Sequence, residues 1–151
     1  MIFDRTASAV ESARQIISQK VQKFLELTED EIAILEKGCV TIDTLNRIEN
    51  AQKDLTQAIK DMRYSVVGVS NKIWDFGDIF DEKELLRIIN NLNIIREAFF
   101  VYNDTPKTPT AKYYYQNFND IEKILFDVSD MIEDVKSNYK ECGTFQCGEV
   151  I

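Results

Sequence analysis

The sequence predicts an all-α protein, a mostly antiparallel helical bundle of three long helices with one or two shorter ones. Three observations predict this class. The 151 residues include 5 Gly and 2 Pro, so few positions interrupt a helix. Apolar residues advance by steps of three and four over long stretches, which is the spacing of one helical face. Hydrophobic residues make up 44% of the chain, enough for a core.

The first predicted helix covers residues 7–25, and Thr6 is suited to cap it. Its apolar stripe consists of Val10, Ala13, Ile17, Val21 and Phe24. A short helix is predicted next, in which Thr28 and Glu31 form a capping box. We expect Gly38 to end this helix in the left-handed conformation.

The third helix is predicted over residues 41–63 and carries Gln52 at a position of its apolar face. This amide indicates a buried polar contact or a device that fixes the register of packing. After this helix the helical spacing is lost through "YSVVGVSNKIWDFGDIF", which Gly68 and Gly77 interrupt. We expect an ordered, irregular aromatic loop wrapped on the bundle.

Asp81 and Glu84 are expected to form a capping box at the start of a fourth helix. That helix is apolar over more than half its circumference, which predicts a central position. The last helix has the most regular stripe, and its members are Phe118, Ile121, Leu125, Val128, Ile132, Val135 and Tyr139. Such a stripe fits an internal bundle face or a seam with another chain. The predicted helical domain is residues 1–141, and residues 142–151 are predicted to be an extended tail or a small hairpin.

Composition argues against several classes of function. A net charge of −8 repels a phosphate backbone and an anionic bilayer, so no nucleic-acid binding is expected. No stretch approaches the length of a membrane span and no signal peptide is recognised, so we expect synthesis in the cytoplasm without membrane insertion. The absence of histidine removes the usual general base and the common nucleophile pairs. We therefore expect no enzyme activity and no metal or other cofactor.

Three cysteines are too few for a disulfide framework in a domain of this size. Cys39 is interpreted as a small, buried apolar residue. Cys142 and Cys147 flank a four-residue stretch, and three states remain open for them: free thiols, a disulfide, or part of a metal site shared between subunits.

Candidate partner-binding residues fall in three places. On the last helix they are Val128, Ile132, Val135 and Tyr139; in the tail, Phe145, Val150 and Ile151; in the loop, Trp74 and Phe76. The tail residues suit strand addition to a neighbour, or else packing on the tail's own bundle. The loop aromatics have the composition of an interface anchor, although such residues more often cover the end of their own core.

A polar phrase recurs in altered form: "TLNRIEN" at 44–50, "LLRIINN" at 85–91 and "NFNDIEK" at 117–123. The intervals between the three differ, so they do not form a strict repeat array. Each phrase is expected to open a helix. We expect its aliphatic residues to face the core and its Asn, Arg and Glu residues to lie outside or at the cap.

Two stretches resemble a known group of proteins. "FDRTASAVESA" followed by "TIDTLNRIEN" resembles a module of tail-associated structural proteins of phages and prophages of Gram-positive bacteria. "IWDFGDIFDEKELLRIINNLNIIREAF" is similar to a second variant from the same proteins. The resemblance covers most of residues 3–100. It departs from the family pattern at Ala9 and Thr44, where that pattern has Asp, and at Leu86, where it has Asn.

The resemblance implies a component of a virion or tailocin, at the baseplate or its receptor-binding apparatus. Such a chain is expected in several copies or as a homo-oligomer, in contact with other tail or baseplate proteins. The rival hypothesis is a soluble acidic helical adaptor or assembly chaperone that masks a basic protein partner. The net charge of −8 is compatible with both.

Overall fold

The computed structural model describes residues 1–142, with side chains through Asn138, and all regular structure in this range is helical. The helices are α1 (Ala7–Gln19), α2 (Glu29–Gly38), α3 (Ile42–Asp61), α4 (Glu82–Ala98) and α5 (Tyr115–Cys142), with a short 3-10 turn at Val21–Lys23. The predicted all-α class is confirmed. Residues 143–151, most of the predicted tail, lie outside the described range.

The predicted caps are largely confirmed. The Thr6 side chain caps α1, and Thr28 with Glu31 forms the reciprocal capping box of α2. Asp81 caps α4 by accepting a hydrogen bond from the backbone N–H of Glu84. The predicted box at this helix is wrong, however, because the Glu84 carboxylate pairs with Arg87 at 2.9 Å. Asp81 therefore acts as a simple N-cap.

The first helix is shorter than predicted. It ends at Gln19, and after the Val21–Lys23 turn Phe24 adopts a left-handed conformation with φ of 54°. Val21 and Phe24, which extend the predicted stripe, are both exposed. Since no core covers that part of the stripe, packing does not hold further helical turns there.

Gly38 is not the left-handed stop that the sequence indicated. It is the last residue of α2, and only Gly68 and Gly77 among the described glycines have positive φ. A Cβ at Gly38 would lie 2.4 Å from the Cβ of Ala13 and 2.4 Å from the carbonyl oxygen of Ala9. This glycine is needed because the backbones of α1 and α2 approach each other closely there.

Helices α3, α4 and α5 pack on one another and form the main core. The apolar stripes predicted for these helices supply most of its residues. Gln52 is fully buried: its amide donates to the carbonyl of Ile88 at 2.8 Å and accepts from Asn91 at 3.1 Å. The predicted buried amide is confirmed, and both its nitrogen and its oxygen are hydrogen-bonded to α4.

The predicted antiparallel arrangement is wrong for α3 and α4. Glu49 in the first half of α3 pairs with Arg87 in the first half of α4. Beyond the ends of both helices, the rings of Tyr64 and Phe99 meet edge to face with centroids 5.4 Å apart. The two helices therefore run in the same direction.

Helix α5 begins at the same end of the bundle. Phe80, just before α4, contacts Phe118 in the first turn of α5, with ring centroids 6.3 Å apart. Arg47, near the start of α3, pairs with Glu122 at 2.7 Å. All three long helices thus start together and run parallel to one another.

Parallel neighbours need connections that travel back along the bundle. Helix α3 has 20 residues and spans about 30 Å. An extended chain covers about 3.3 Å per residue, so roughly nine residues suffice for the return. The connections at residues 62–81 and 99–114 are longer than this. The second lies along α5, where Tyr102 hydrogen-bonds to Asp134 at 2.8 Å and Asp130 at 2.9 Å.

Candidate interaction surface

The connection at residues 62–81, called the return segment below, is fixed to the bundle by side chains of α3 and α4. Asn46 of α3 engages both backbone groups of Trp74. The Trp74 N–H donates to Asn46 Oδ1 at 2.8 Å, and Asn46 Nδ2 donates to the Trp74 carbonyl at 3.0 Å. One amide side chain thereby replaces the two hydrogen bonds that a neighbouring strand would make.

Glu49, one helical turn after Asn46, holds the same segment. It is almost fully buried and accepts hydrogen bonds from the backbone N–H of Lys72 and the indole Nε1 of Trp74, both at 3.2 Å. The guanidinium of Arg87 pairs with both of its oxygens. The pKa of Arg87 is raised: burial acts to lower it, but the hydrogen bonds to Glu49 and Glu84 outweigh that effect.

Asn91 of α4 holds the segment at a second point. The Ser70 N–H donates to Asn91 Oδ1 at 3.1 Å, and Asn91 Nδ2 donates to the Ser70 carbonyl at 2.6 Å. Arg87 also donates to that carbonyl, at 2.7 Å. The segment is therefore fastened to two helices.

The N-terminal residues 2–5 are held on α5 in the same way. The Arg5 N–H donates to Asn119 Oδ1 at 3.1 Å, and Asn119 Nδ2 donates to the Arg5 carbonyl at 2.9 Å. Glu122, fully buried one turn later, accepts from the N–H of Ile2 and pairs with Arg5 and Arg47. This unit repeats the arrangement of Asn, Glu and a neighbouring arginine seen at the return segment.

The recurring phrases thus have a structural explanation. Each contains an asparagine that fastens a non-helical segment: Asn46, Asn91 and Asn119. In the third phrase Asn117 does so as well, since it donates to the carbonyls of Thr110 and Lys112. The expectation that the polar residues of the phrases lie outside or at caps is wrong for Asn91, which is buried, and for the two glutamates Glu49 and Glu122. Both are buried because they accept the hydrogen bonds of backbone groups and arginines.

Four large apolar side chains stand in solvent on the return segment. Val67 is 79% exposed, Ile73 83%, Phe76 94% and Ile79 80%. These four residues are called the loop surface below. They contrast with Trp74 between them, which is buried and packs edge to face on Phe80 with centroids 5.4 Å apart.

The charge around the loop surface is mainly negative. Five carboxylates and two lysines lie between residues 70 and 84. Lys72 is already engaged: its Nζ lies 3.2 Å from Asp78 and 4.1 Å from the centroid of the Trp74 ring. The pKa of Asp78 is lowered by a hydrogen bond from the backbone N–H of Asp75 and by Lys72. Asp78 therefore stays ionised to a lower pH than an ordinary aspartate does.

A second group of exposed apolar residues lies where α1 turns into α2. Phe24 is 97% exposed, and Val21, Leu25 and Ile32 are also exposed. These residues are not fastened by buried carboxylates as the return segment is. The clearest polar contact of this turn is the pair of Lys20 and Glu31 at 2.7 Å.

A cleft of about 420 Å³ lies between the end of α2 and the start of α5. Its lining residues include Arg14, Cys39, Tyr113, Tyr114 and Phe118. Burial raises the pKa of the Cys39 thiol, and burial with nearby carboxylates raises the pKa of Tyr113. A raised pKa keeps the thiol in its unreactive neutral form. Chemically, the cleft offers aromatic and hydrogen-bonding groups to a ligand.

The predicted seam on the last helix is internal. Val128 and Ile132 are buried in the core of this chain, and Val135 packs partly buried against it. The prediction that these residues bind a partner is wrong for Val128 and Ile132, because contacts within the chain already cover them. The side chain of Tyr139 lies outside the described residues, as do Phe145, Val150 and Ile151.

The structure separates the two predicted loop residues, since Trp74 is a core residue and Phe76 is exposed. Sequence reasoning missed Val67 and Ile73. A signal was present, because these apolar residues occur in a stretch without helical period and cannot all face one core. The Asn-x-x-Glu spacing, which places both side chains on one helical face, was the signal for the fastening residues.

Comparisons with protein families, curated proteins and solved structures find no match to this chain. Among the described residues, no group of three or more Cys, Asp and Glu side chains is arranged to hold a metal ion. In the same part of the chain, no helix has both the length and the apolar character needed to cross a membrane.

Proposed function

We propose that the chain is a non-enzymatic structural or assembly component of a phage tail, baseplate or related contractile particle. It binds neighbouring subunits through the loop surface. The observation that carries this proposal is the exposure of four large apolar side chains on a segment whose backbone is fastened to the bundle. The resemblance of "TLNRIEN" and its neighbouring stretches to tail-associated proteins supports the choice of particle.

Single exposed apolar residues are ordinary on protein surfaces. Several together on one short segment are characteristic of a surface that a partner covers. Because Asn46, Glu49 and Asn91 already fix the segment, binding orders few additional backbone groups and loses little conformational entropy. A fixed geometry of this kind suits a subunit that must hold its neighbours in place.

In this proposal the chain is made in the bacterial cytoplasm and becomes part of the virion or particle in several copies. Its partners are other tail or baseplate proteins. Phe145, Val150 and Ile151 remain candidates for a second contact. The face that carries Val128 and Ile132 is not part of the proposed interface, because it belongs to the core.

The test is sedimentation of a lysate from cells that express the particle or the native operon, followed by blotting of the pellet and the supernatant. Recovery of the chain in fixed ratio to a tail protein, at high salt, supports a structural component. A variant with Ile73, Phe76 and Ile79 changed to serine should fold and leave the pellet. The matched control is Phe100→Ser, which removes an exposed aromatic residue outside the loop surface.

The results separate the alternatives. A triple variant that still sediments with the particle shows that the loop surface is not the contact. A wild-type chain that stays wholly in the supernatant contradicts the structural role. The excess of carboxylates around the loop surface favours the second candidate in that case, an acidic adaptor or assembly chaperone for a basic partner. Its binding would be transient and would weaken with salt.

A further inference from the structure

The return segment has one edge that the bundle satisfies. Between Gly68 (φ of 91°) and Gly77 (φ of 103°), three alternate residues direct their backbone N–H toward α3 or α4. Ser70 donates to Asn91, Lys72 to Glu49 and Trp74 to Asn46. Alternation of this kind is characteristic of an extended chain, in which the N–H and C=O groups of successive residues point to opposite sides.

The opposite edge is open. Within the described part of the chain, the backbone groups of Val69, Asn71 and Ile73 make no hydrogen bond to protein. Asn71 and Ile73 are exposed residues, while the side-chain amide of Asn71 donates to the Glu49 carbonyl at 3.1 Å. An exposed edge with a row of unpaired donors and acceptors is a template for another extended chain.

Side chains beside this edge fit the same interpretation. Ile73 lies on the open edge, and Phe76 and Val67 lie beyond its two ends, all strongly exposed. In strand addition the backbone supplies hydrogen bonds, and alternate side chains supply the apolar contact. The loop surface is thus arranged around a backbone edge that can pair.

Charge selects among the possible occupants. The segment from Ser70 to Glu84 carries five carboxylates against two lysines, and Lys72 is paired with Asp78. A second copy of this chain would bring the same excess of negative charge to the interface. Like charges close together across a strand pair are destabilising. A segment that carries Lys or Arg beside Asp75 is complementary, since Asp78 is already paired with Lys72.

We propose that a partner protein adds an extended segment to the open edge of residues 69–73, with alternating apolar side chains and a basic end. This inference rests on the proposed function and names the mode of contact at the loop surface. The pairing uses the N–H and C=O groups of Asn71 and Ile73. The bundle continues to hold Ser70, Lys72 and Trp74.

The test is calorimetric titration of the purified intact chain with a short synthetic peptide in which valine alternates with threonine and two lysines stand at one end. Ile73→Pro removes an outward N–H that the fold does not use, and should weaken binding roughly tenfold. Ile73→Val, the matched control, keeps that N–H and should bind as the wild type does. The fluorescence of Trp74 verifies that each variant is folded.

A second measurement does not depend on the proline variant. Peptides methylated on alternate backbone nitrogens should lose binding in one register and keep it in the other. The peptide should also slow amide hydrogen exchange at Asn71 and Ile73 more than at Lys72 and Trp74. No binding, equal binding by Ile73→Pro, or equal loss in both methylated registers would overturn the inference.

Other outcomes reassign the occupant. If a peptide with glutamate in place of lysine binds equally well, the inference that the partner's segment has a basic end is overturned. Dimerisation of the chain alone, lost in Ile73→Pro, would assign the edge to a second copy. The result is separate from the proposed function: a chain that sediments with the particle but fails the peptide test loses only this inference. A chain that passes the peptide test but never sediments loses only the particle assignment.

Discussion

Replacing Glu122 with alanine tests how the N-terminal segment is held on the bundle. This carboxylate is fully buried and has three partners: the N–H of Ile2, the guanidinium of Arg5 and the guanidinium of Arg47. Alanine removes the negative charge and leaves the arginines without a counterion. The side chain of Arg47 is 29% exposed and can turn to water, whereas that of Arg5 is 1% exposed and cannot.

The expected loss follows from these contacts. Removing one partner of a buried ion pair costs about 3–5 kcal/mol, because the remaining charge stays desolvated. Arg5 stays desolvated, whereas Arg47 does so only in part. We therefore expect the free energy of unfolding to fall by about 3 kcal/mol, near the lower end of this range. For a domain whose whole stability is about 5–15 kcal/mol, this is a large fraction.

The assay is urea unfolding, followed by the fluorescence of the single tryptophan and by far-UV circular dichroism. Trp74 is buried beside α3, so its signal reports the bundle. Hydrogen exchange at the Arg5 amide reports the N-terminal segment itself and should become faster in the variant. The matched control is Glu133→Ala, which removes an exposed carboxylate of α5 that lies 3.4 Å from Lys136.

The control should change the free energy of unfolding by less than about 0.5 kcal/mol, as surface ion pairs do. Glu122→Gln, which keeps an acceptor but not the charge, should fall between the two. A Glu122→Ala variant that loses less than about 1 kcal/mol, the net worth of one ordinary hydrogen bond, would refute the reasoning. It would show that this carboxylate is not a buried counterion.

Three further predictions concern other parts of the molecule. Gly38→Ala should lower the free energy of unfolding by about 1–3 kcal/mol in urea, because its Cβ would lie 2.4 Å from atoms of α1; an unchanged urea midpoint contradicts this. Changing Val128 and Ile132 to Asp buries two charges and should abolish the helical circular dichroism, whereas a folded variant would place them outside the core. Hydrogen bonds to its two α5 aspartates raise the pKa of Tyr102. The pKa of Tyr102 is therefore higher in the folded protein than in the unfolded chain. The stability that these hydrogen bonds contribute is complete below about pH 10 and is lost as the pH rises through the folded-state pKa. As the pH rises into the alkaline range, the urea midpoint of the wild type should fall more than that of Tyr102→Phe. Identical pH profiles of the two proteins would contradict this.

Local signals in the sequence predicted most of the elements. Thr6, Thr28 and Asp81 begin helices as expected, because an N-cap depends on residues within one turn. The apolar period also identified Val128 and Ile132 as residues of a buried face. Periodicity shows that a face is covered but not which chain covers it, so the seam with another subunit was a wrong inference from a correct pattern.

Long-range features could not be predicted in the same way. The parallel direction of α3 and α4 depends on a return segment whose attachment uses Asn46 and Glu49, residues that look like ordinary surface positions of a helix. A buried glutamate is rare unless it is paired, and its partner Arg87 is 38 residues away in the chain. Spacing within one helix carries no information about such a partner. Most of the loop surface was missed, although Phe76 was predicted, because exposure there depends on how the segment is attached.

The fold and the proposed contact have a common physical cause. The two connections that return between the parallel helices are not helical, and a non-helical backbone needs other partners for its hydrogen bonds. In this chain, amide and carboxylate side chains supply those bonds along one edge of the return segment. A side chain that reaches up from a helix can satisfy only the edge that faces it. The opposite edge stays open for the same reason that the first is closed, and a partner strand is the kind of group that completes it.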